Sequence, residues 1–522
     1  MNNGKICVSI CDKSVTGTIA KIGKAEKFAD VIEVRFDCLS KHVFNMSMDS
    51  PFLNLYWGNI LRATKKPIIS TYRPVDQGGH QHLNEKERHM FWHAGMGAEY
   101  YDVEEDIVAD DVLLLQFTYS FEHLIVSQHY FANGPSNLNQ IFDRLASYKA
   151  DIVKIAAATD DVTDAIPVWQ LLDRAKTNRK KIIPIAMGEA GKWTRILGLA
   201  HGSYMTYASY DEGLETAEGQ ITAKDLIEVY RVKELDLNTK VYGVIGDPVS
   251  ESLSPYMHNP AFVEHNINAV FIPLQVKNLD EFMLRMVRPE TREVELNFGG
   301  FAVTMPHKQS IIEHLDAIDP TAEKIGAVNT VKIDDGKLTG YNTDAVGFIM
   351  PLIEKFGDLK NARVAIFGAG GAARACVSAL KEEVAEVTVF ARDVKKASAF
   401  ADEFGVEISQ ISNCKSEISK SLSHNFDIIV NATPVGMKGP LENESLLTAE
   451  QLDGVKFVYD LVTRSGDTPL ISEAKKANVP AIGGIEMLLY QGAKQFEIWT
   501  GQTAPMDAMR EAVFKKLDKI QK

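Results

Sequence analysis

The stretch "KADIVKIAAATD", residues 149–160, places a lysine in the middle of an apolar β-strand. Side chains alternate along a strand, so Lys154 shares a face with Ile152 and Ala156. An ammonium group on such a face is expected to have a counter-ion or a functional role, because burying an unpaired charge is costly. The segment therefore raises two questions: to which fold the strand belongs, and what function its lysine has.

Similar apolar strands, each followed by a polar helical stretch, recur through the first half of the chain. They are residues 5–11, 31–37, 66–72, 98–103, 123–129, 151–156, 181–187 and 203–209. Their spacing of roughly 20 to 35 residues is the period of a βα unit. Eight such units within about 230 residues predict a (β/α)8 barrel, an α/β fold.

The composition limits the classes of partner. At 522 residues the chain is expected to hold two or three domains, and 45% hydrophobic with 24% charged residues is typical of a globular enzyme. The net charge of −14 disfavours nucleic acid and membrane surfaces as partners. No apolar run approaches a membrane span, and the first strand begins too early for a signal or transit peptide.

The cysteines are scattered and form no C-x-x-C pair. They are Cys7, Cys11, Cys38, Cys376 and Cys414. This spacing supports neither a disulfide framework nor a structural zinc site. We expect reduced thiols and a cytoplasmic location.

The strand "VIEVRFD" is charged on one face only, through Glu33, Arg35 and Asp37. The outward face of a barrel strand packs beneath helices, so the charged face is predicted to point into the barrel, near the carboxyl end where such barrels keep their sites. The alternative is a solvated edge strand that carries a row of ion pairs.

Three later strands carry a polar residue or are followed directly by one, namely Arg73, His129 and Lys154. A desolvated lysine beside other cations loses proton affinity, and its neutral amine attacks carbonyl groups. Lys154 therefore fits a Schiff-base former, with His129 as the proton-transfer group. The alternatives are a structural histidine and a lysine whose ammonium group reaches the barrel mouth.

Together these residues resemble the type I 3-dehydroquinate dehydratases over nearly all of residues 5–222. The resemblance implies that Glu33, Arg35 and Arg73 contact the substrate. It also implies that Lys154 forms an imine with the ring ketone, while His129 removes the adjacent proton and then protonates the departing hydroxyl.

Two further motifs extend this resemblance, and one position departs from it. "MGEAGKWTR" implies that Arg195 binds the substrate carboxylate, and "TAEGQIT" implies that Thr216 and Gln220 contact the substrate. In "RPVDQGGH", Gln77 stands where the family has glutamate. An amide can hydrogen-bond but cannot take a proton, so we expect slower chemistry rather than lost chemistry.

The second half begins as a mixed α/β segment and continues as successive βα units of a nucleotide-binding sheet. The charged stretch 230–240 is interpreted as a linker. The predicted division is a barrel at 1–234, a substrate-binding lobe at 240–345, a Rossmann-like lobe at 346–486, and C-terminal helices at 487–522 that return to the substrate lobe.

The stretch "VAIFGAGGAAR" combines a strand, a glycine turn and a helix start. Gly368, Gly370 and Ala373 supply a G-x-G-x-x-A fingerprint, in which a pyrophosphate approaches the helix N-terminus. The other turn residues predicted to contact the cofactor are Ala369, Gly371 and Ala372. Arg392 at the end of the next strand suits the 2′-phosphate of NADP, although Asp393 weakens this preference over NAD.

The preceding lobe carries polar residues that suit a small substrate. Ser252 and Ser254 could hydrogen-bond a carboxylate, or simply form a turn or cap. Lys308 and Asp344 could relay a proton as a hydride moves, or be surface groups.

The order of these motifs resembles the shikimate dehydrogenase family over about residues 240–522. The resemblance makes Lys308 and Asp344 the catalytic pair. The implied substrate contacts are Ser252, Ser254, Thr304, Asn329 and Gln491, and the implied nicotinamide contacts are Asn431, Thr433 and Met487. Two positions depart from the family: Thr463 replaces a tyrosine that touches substrate, and Ala391 replaces the asparagine of a cofactor motif.

Both halves together resemble the bifunctional dehydroquinate dehydratase–shikimate dehydrogenases. The resemblance implies conversion of 3-dehydroquinate to 3-dehydroshikimate and then, with NADPH, to shikimate, without a metal, in a monomer or homodimer. One alternative is a quinate dehydrogenase, for which a glycine in place of Ser254 would make room. Another is an inactive sensor, against which the retained Lys154 and His129 count.

Overall fold

The computed structural model describes residues 2–42, 53–84, 87–88, 91–92, 97–109, 123–410, 425–464 and 466–520. The chain divides into two compact units. The first comprises Met1–Val241, Asp247–Glu251 and Asn268–Asn297, and the second comprises Tyr242–Gly246, Ser252–Ile267 and Phe298–Lys522.

The first unit contains eight parallel strands, all at the predicted positions. They are β1 (Lys5–Ile10), β2 (Val31–Arg35), β3 (Ile68–Thr71), β4 (Tyr100–Glu104), β5 (His123–Asn133), β6 (Ile152–Ala158), β7 (Lys181–Met187) and β8 (Met205–Ala208). Their hydrogen-bonded order is β7-β6-β5-β4-β3-β2-β1-β8. The backbone N–H of Tyr204, just before β8, donates to the carbonyl of Ile182 in β7, at 2.9 Å. The sheet is thus a nearly closed barrel, and the predicted fold class is confirmed.

Seven described helices follow strands of the barrel. They are α1 (Val15–Ala25), α2 (Leu53–Leu61), α3 (Glu105–Val108), α4 (Leu138–Ser147), α5 (Ile166–Thr177), α6 (Lys192–Leu197) and α7 (Ala223–Glu228). The start of α1 shows local sequence control, because the Ser14 side chain accepts a hydrogen bond from the N–H of Gly17 and so caps the helix.

Strand parity decides which side chains fill the barrel. Ile152 and Ala156 belong to a buried cluster that also includes Val31, Ile69 and Ile183 from neighbouring strands. Lys154 has the parity of Ile152, and Glu33 and Arg35 have the parity of Val31, so all three point inward.

The segment 268–297 belongs to the first unit, although it lies within the predicted 240–345 lobe. Its strand β10 (Ala269–Gln275) contacts α6 of the barrel. The backbone N–H of Lys277 donates to the carboxylate of Asp161 at 2.7 Å. The finer division of the second half into lobes stays a prediction.

The remaining strands form two further sheets. They are β9 (Lys240–Gly246), β11 (Phe298–Val303), β12 (Ala317–Ile318), β13 (Thr330–Asp334), β14 (Lys337–Tyr341), β15 (Arg363–Phe367), β16 (Glu386–Ala391), β17 (Glu407–Gln410), β18 (Ile428–Asn431), β19 (Phe457–Asp460) and β20 (Ala481–Gly483). The first of these sheets has the order β10-β9-β11-β13-β14-β12 and mixes parallel with antiparallel pairs. The second, β17-β16-β15-β18-β19-β20, is parallel throughout and has the 3-2-1-4-5-6 order of a Rossmann fold.

The later helices include two long ones near the end of the chain. They are α8 (Ser254–Glu264), α9 (Leu279–Phe282), α10 (Pro320–Ile325), α11 (Asp344–Phe356), α12 (Gly371–Glu382), α13 (Val394–Phe404), α14 (Pro469–Lys476), α15 (Gly484–Thr500) and α16 (Met506–Ile520). In α15, Trp499 donates to the carbonyl of Val331 at 3.0 Å, and α16 packs against α8. No described helix is both long and apolar enough to cross a membrane.

The expectation of reduced cysteines is wrong for one pair, because Cys11 and Cys38 form a disulfide. Cys11 follows β1 and Cys38 ends the short turn after β2, so parallel pairing of β1 with β2 brings the two residues together. Their separation of 27 residues gave no local signal of this contact. Cys7 and Cys376 are free and buried, while Cys414 lies outside the described residues.

Candidate active sites

A cavity of about 340 Å³ opens among the strand ends and loops of the barrel. All eight residues that the sequence predicted for this half line it: Glu33, Arg35, Arg73, His129, Lys154, Arg195, Thr216 and Gln220. Side chains from distant parts of the chain thus meet in one chamber, as strand parity and the position of barrel sites require.

Lys154 is buried at the wall of this cavity, with 3% of its surface exposed. Its Nζ donates a hydrogen bond to Asp102 at 2.7 Å, lies 3.6 Å from a Glu33 oxygen, and sits 4.0 Å from the centre of the Tyr207 ring. A lysine that reached the barrel mouth would expose its ammonium group, so that alternative does not hold. The amine is desolvated and held in place by two carboxylates and an aromatic face.

The sequence motifs did not point to Asp102 and Glu104, which organise this site. Arg73 donates to both carboxylates at 2.7 Å and to Ser127 at 2.8 Å. Burial opposes ionisation of Asp102, but Arg73 and Lys154 outweigh it and hold the pKa of that carboxyl well below its usual value. Burial raises the pKa of Glu104 to about 7, despite the opposing effect of Arg73. The available signal was two acids two residues apart on an apolar strand, and Glu33 likewise alternates with other charged residues along its strand.

His129 presents a neutral imidazole to the cavity. Burial, together with the nearby cations of Arg73 and Lys154, holds the pKa of His129 well below its usual value. Its Nδ1 is buried and has no hydrogen-bond partner among the described residues. The backbone N–H of His129 donates to Oε1 of Gln77 at 2.9 Å, so the amide that replaces the family's glutamate fixes this strand end. A neutral, desolvated imidazole can take a proton from a bound molecule.

Two arginines of the cavity differ in their partners. Arg35 makes a bidentate pair with Asp37, with two N···O distances of 2.8 Å. Arg195 instead donates only to the backbone carbonyls of Tyr207 and Glu218, at 3.3 and 3.4 Å, and its buried Nε has no partner among the described residues. Burial lowers the pKa of Arg195 to about 10. A buried guanidinium without a counter-ion in the described structure is a binding group for an anion, such as a carboxylate.

The loop after β8 completes the cavity wall. The backbone N–H of Thr216 donates to Oε1 of Gln220 at 2.8 Å, and Nε2 of Gln220 donates back to Thr216 at 3.1 Å. Gly219 between them has a φ of +74°, and a Cβ atom there would lie 2.1 Å from the carbonyl oxygen of Gly188. Only glycine fits this turn, which fixes both side chains toward one another.

A second constellation lies in the other unit, around Lys308 and Asp344. Nζ of Lys308 donates to Oδ2 of Asp344, and Asn329 donates to Oδ1 of the same carboxylate at 2.7 Å. The Asn329 amide also lies 3.5 Å from Oε1 of Gln491. Four residues predicted from the sequence therefore share one hydrogen-bonded network. Thr343, which was not predicted, donates its backbone N–H to Asn329 at 2.7 Å.

Ser252, Ser254 and Thr304 stand apart from this network. The backbone N–H of Ser254 donates to Oγ of Ser252 at 3.3 Å, and that of Thr304 donates to the carbonyl of Ile245 at 2.9 Å. No hydrogen bond within the described ranges joins these three residues to Lys308. Their role as substrate contacts stays a prediction.

The glycine turn fits an approaching pyrophosphate. Gly368 has a φ of +112°, and a Cβ atom there would lie 2.7 Å from the carbonyl oxygen of Ala432. A Cβ atom at Gly370 would meet open space, and helix α12 begins at Gly371 with its free N–H groups. A Cβ atom at Gly371 would lie 3.6 Å from Cδ of Lys308. The turn thus places the helix start beside the predicted catalytic lysine.

The other predicted cofactor residues lie at the carboxyl edge of the same sheet. Oδ1 of Asn431 accepts hydrogen bonds from the backbone N–H and the hydroxyl of Thr433, while its amide donates to Asp460 at 2.9 Å. Asp460 was not predicted. Met487 is buried near the start of α15, and Arg392 is exposed at the end of β16, where a phosphate can reach it.

Comparison with known proteins finds family profiles in both halves of the chain. Family profiles match as follows: type I 3-dehydroquinase at residues 6–236, shikimate dehydrogenase substrate binding domain at 244–331, shikimate/quinate 5-dehydrogenase at 352–458, and shikimate 5'-dehydrogenase C-terminal domain at 484–514. The chain is 32% identical to the chloroplastic bifunctional 3-dehydroquinate dehydratase/shikimate dehydrogenase of Arabidopsis thaliana, over 97% of this chain and 83% of that protein. The chain belongs to this bifunctional family.

The second half also has single-function relatives. It is 40% identical to the shikimate dehydrogenase (NADP(+)) of Methanocaldococcus jannaschii, over 55% of this chain and 100% of that protein. A crystal structure of the shikimate 5-dehydrogenase of Thermus thermophilus with NADP(H) and shikimate covers 53% of this chain and 98% of that one, at 35% identity and a TM-score of 0.46.

Proposed function

We propose that this family member dehydrates 3-dehydroquinate to 3-dehydroshikimate in its barrel and reduces that product to shikimate with NADPH in its second unit. One observation carries the proposal, namely that the predicted lysine, histidine and carboxylate-binding arginine line a single cavity. Small anionic molecules are therefore its partners, and the arginines and lysine of the cavity match their charge.

The geometry of the barrel suggests how dehydration proceeds. Lys154 attacks the ring ketone while Asp102 orients the amine, and loss of water gives an imine. The protonated imine draws electrons from the neighbouring carbon, whose proton passes to the neutral ring of His129. The same ring then protonates the departing hydroxyl, and hydrolysis of the imine frees Lys154. Arg195 holds the substrate carboxylate throughout.

In the second unit, the glycine turn and the start of α12 would hold the pyrophosphate, and Arg392 the 2′-phosphate, of an NADP cofactor. When bound, that cofactor would supply the hydride. Lys308 then donates a proton to the ketone oxygen, and Asp344 and Asn329 hold Lys308 in position. Asn431 and Thr433 shape the edge on which the nicotinamide would lie.

A coupled assay tests the whole proposal. The purified chain, given 3-dehydroquinate and NADPH, should form one shikimate for each NADPH oxidised, and no turnover of either step would support an inactive sensor. Quinate with NADP or NAD distinguishes the quinate dehydrogenase, which should oxidise quinate faster than shikimate. We further propose a cytoplasmic monomer or homodimer, to be measured by cell fractionation and by light scattering.

Arg195→Ala is expected to raise the KM for 3-dehydroquinate about 100-fold, because the buried substrate carboxylate loses its cation. Arg195→Lys should reverse only part of this rise in KM, since lysine keeps the positive charge but cannot form a bidentate hydrogen-bonded pair with a carboxylate. Steady-state kinetics of dehydration measure both variants. Arg174→Ala removes an arginine from the surface of α5 and serves as the control. A KM within about threefold of wild type in Arg195→Ala would contradict the assignment.

The pH dependence of dehydration tests the state of His129. A free histidine titrates near pH 6.5, and the lowered pKa of His129 keeps its ring neutral below that pH. The acid limb of kcat/KM should therefore lie below pH 6.5. Gln77→Glu adds a carboxylate beside His129, which favours the imidazolium ion, so its acid limb should move to higher pH. A wild-type limb above pH 6.5, or an unmoved limb in the variant, counts against this role.

A further inference from the structure

Three soft or borderline donor groups converge beside the barrel cavity, outside the dehydratase machinery. They are the sulfurs of Cys11 and Cys38 and the imidazole of His80, whose donor atoms all lie within 4.8 Å of one another. Nε2 of His80 is 3.8 Å from Sγ of Cys11. None of the three residues lines the cavity that holds Lys154.

The barrel topology explains why these residues meet. Cys11 follows β1, Cys38 follows β2, and His80 lies in the loop after β3, and these three strands are neighbours in the sheet. The Asp37 carboxylate accepts the backbone N–H of His80 at 3.2 Å, and the Asp37 carbonyl accepts a hydrogen bond from Gln81 at 3.0 Å. These hydrogen bonds hold the loop in place, and the exposed imidazole of His80 lies against the sulfur of Cys11.

Exposure and chemistry at the cluster favour a metal ion. Cys38 is buried, Cys11 is half-buried and His80 is exposed, so an ion can enter from solvent and meet two anchored sulfurs. Two thiolates and an imidazole are ligands that Zn²⁺ prefers, with a fourth position open to water or another ligand. Zinc–sulfur bonds of about 2.3 Å need the sulfurs roughly 3.8 Å apart. With Cα atoms 5.4 Å apart, side-chain rotation allows this separation once the disulfide is reduced.

We propose that Cys11, Cys38 and His80 form a binding site for a thiophilic divalent cation such as Zn²⁺, open when the cysteines are reduced and closed by their disulfide. A phosphine reductant transfers two electrons to the disulfide, takes oxygen from water and leaves two thiols. Binding of the cation then releases the two thiol protons. The three residues of this site are separate from Lys154 and His129, to which the proposed function assigns dehydration.

The test uses the full chain. The chain is reduced with a phosphine, the phosphine is removed under anaerobic conditions, and free thiols are counted before and after reduction. Titration with Co²⁺ should show one equivalent bound, with sulfur-to-cobalt absorption and the strong visible bands of a tetrahedral site. Zn²⁺ should displace the cobalt and raise the melting temperature. Cys11→Ser and Cys38→Ser should each weaken Zn²⁺ binding at least about 100-fold, and His80→Ala at least about 10-fold.

His82→Ala provides the matched control, because His82 is also exposed and lies two residues along the same loop. It should bind Zn²⁺ as tightly as wild type, and reduction of 3-dehydroshikimate by every variant reports that the chain is folded. The proposal is overturned if the native disulfide resists reduction, if the reduced chain binds no stoichiometric metal, or if the disulfide form binds equally well. Unchanged affinity in Cys38→Ser or His80→Ala overturns it too.

Discussion

Lys154→Ala is expected to lower kcat for dehydration by at least about 10⁴-fold, because no other amine in the cavity can form the imine. The cavity of the described structure contains Lys154 as its one lysine, and the remaining cations there are arginines, which stay protonated. Reduction of 3-dehydroshikimate by the same variant should be unchanged. Initial rates of the two half-reactions, measured separately, give both numbers.

Borohydride trapping identifies the reacting atom directly. Reduction in the presence of 3-dehydroquinate should fix the substrate on Lys154, and peptide mass mapping should find no adduct in the variant. Lys149→Ala is the matched control, since Lys149 is exposed and lies just before the same strand. The assignment fails if Lys154→Ala dehydrates at an undiminished rate or if the adduct maps to another residue.

Strand alternation made much of the barrel site predictable. A side chain two residues from an inward-facing one must also face inward, so Lys154, Glu33 and Arg35 could be placed before any coordinates were known. The glycine turn at Gly368 was also predictable from local sequence. The residue has a positive φ, and a Cβ atom there would lie too close to the carbonyl oxygen of Ala432.

The partners of these residues were harder to predict. Asp102 on β4 pairs with Lys154 on β6 and with Arg73 after β3, and only the strand order of the nearly closed barrel brings them together. The disulfide between Cys11 and Cys38 likewise depends on neighbouring strand ends rather than on spacing along the chain. The contact between Lys277 and Asp161 joins segments more than a hundred residues apart and leaves no mark in either. Such non-local contacts follow from the fold, and local patterns do not encode them.

In the second unit, Lys308→Ala and Asp344→Asn should each lower kcat for reduction of 3-dehydroshikimate by about 10²- to 10⁴-fold. The two side chains form one ion pair that Asn329 extends, so removing either partner leaves the other wrongly placed or wrongly charged. The double variant should therefore be little slower than the worse single variant. Dehydration should proceed at the wild-type rate in all three, which shows that the barrel is intact.

Lys324→Ala tests whether loss of an ion pair alone slows the reaction. Lys324 pairs with Glu382 at 2.8 Å in the same unit, but more than half of each side chain is exposed, and such pairs contribute little. Its kcat should match wild type. If the rate losses of Lys308→Ala and Asp344→Asn multiply fully in the double variant, the two residues act independently. Proton transfer to the ketone then does not require their ion pair. If either single variant keeps more than about a tenth of the activity, that residue does not carry the proton transfer.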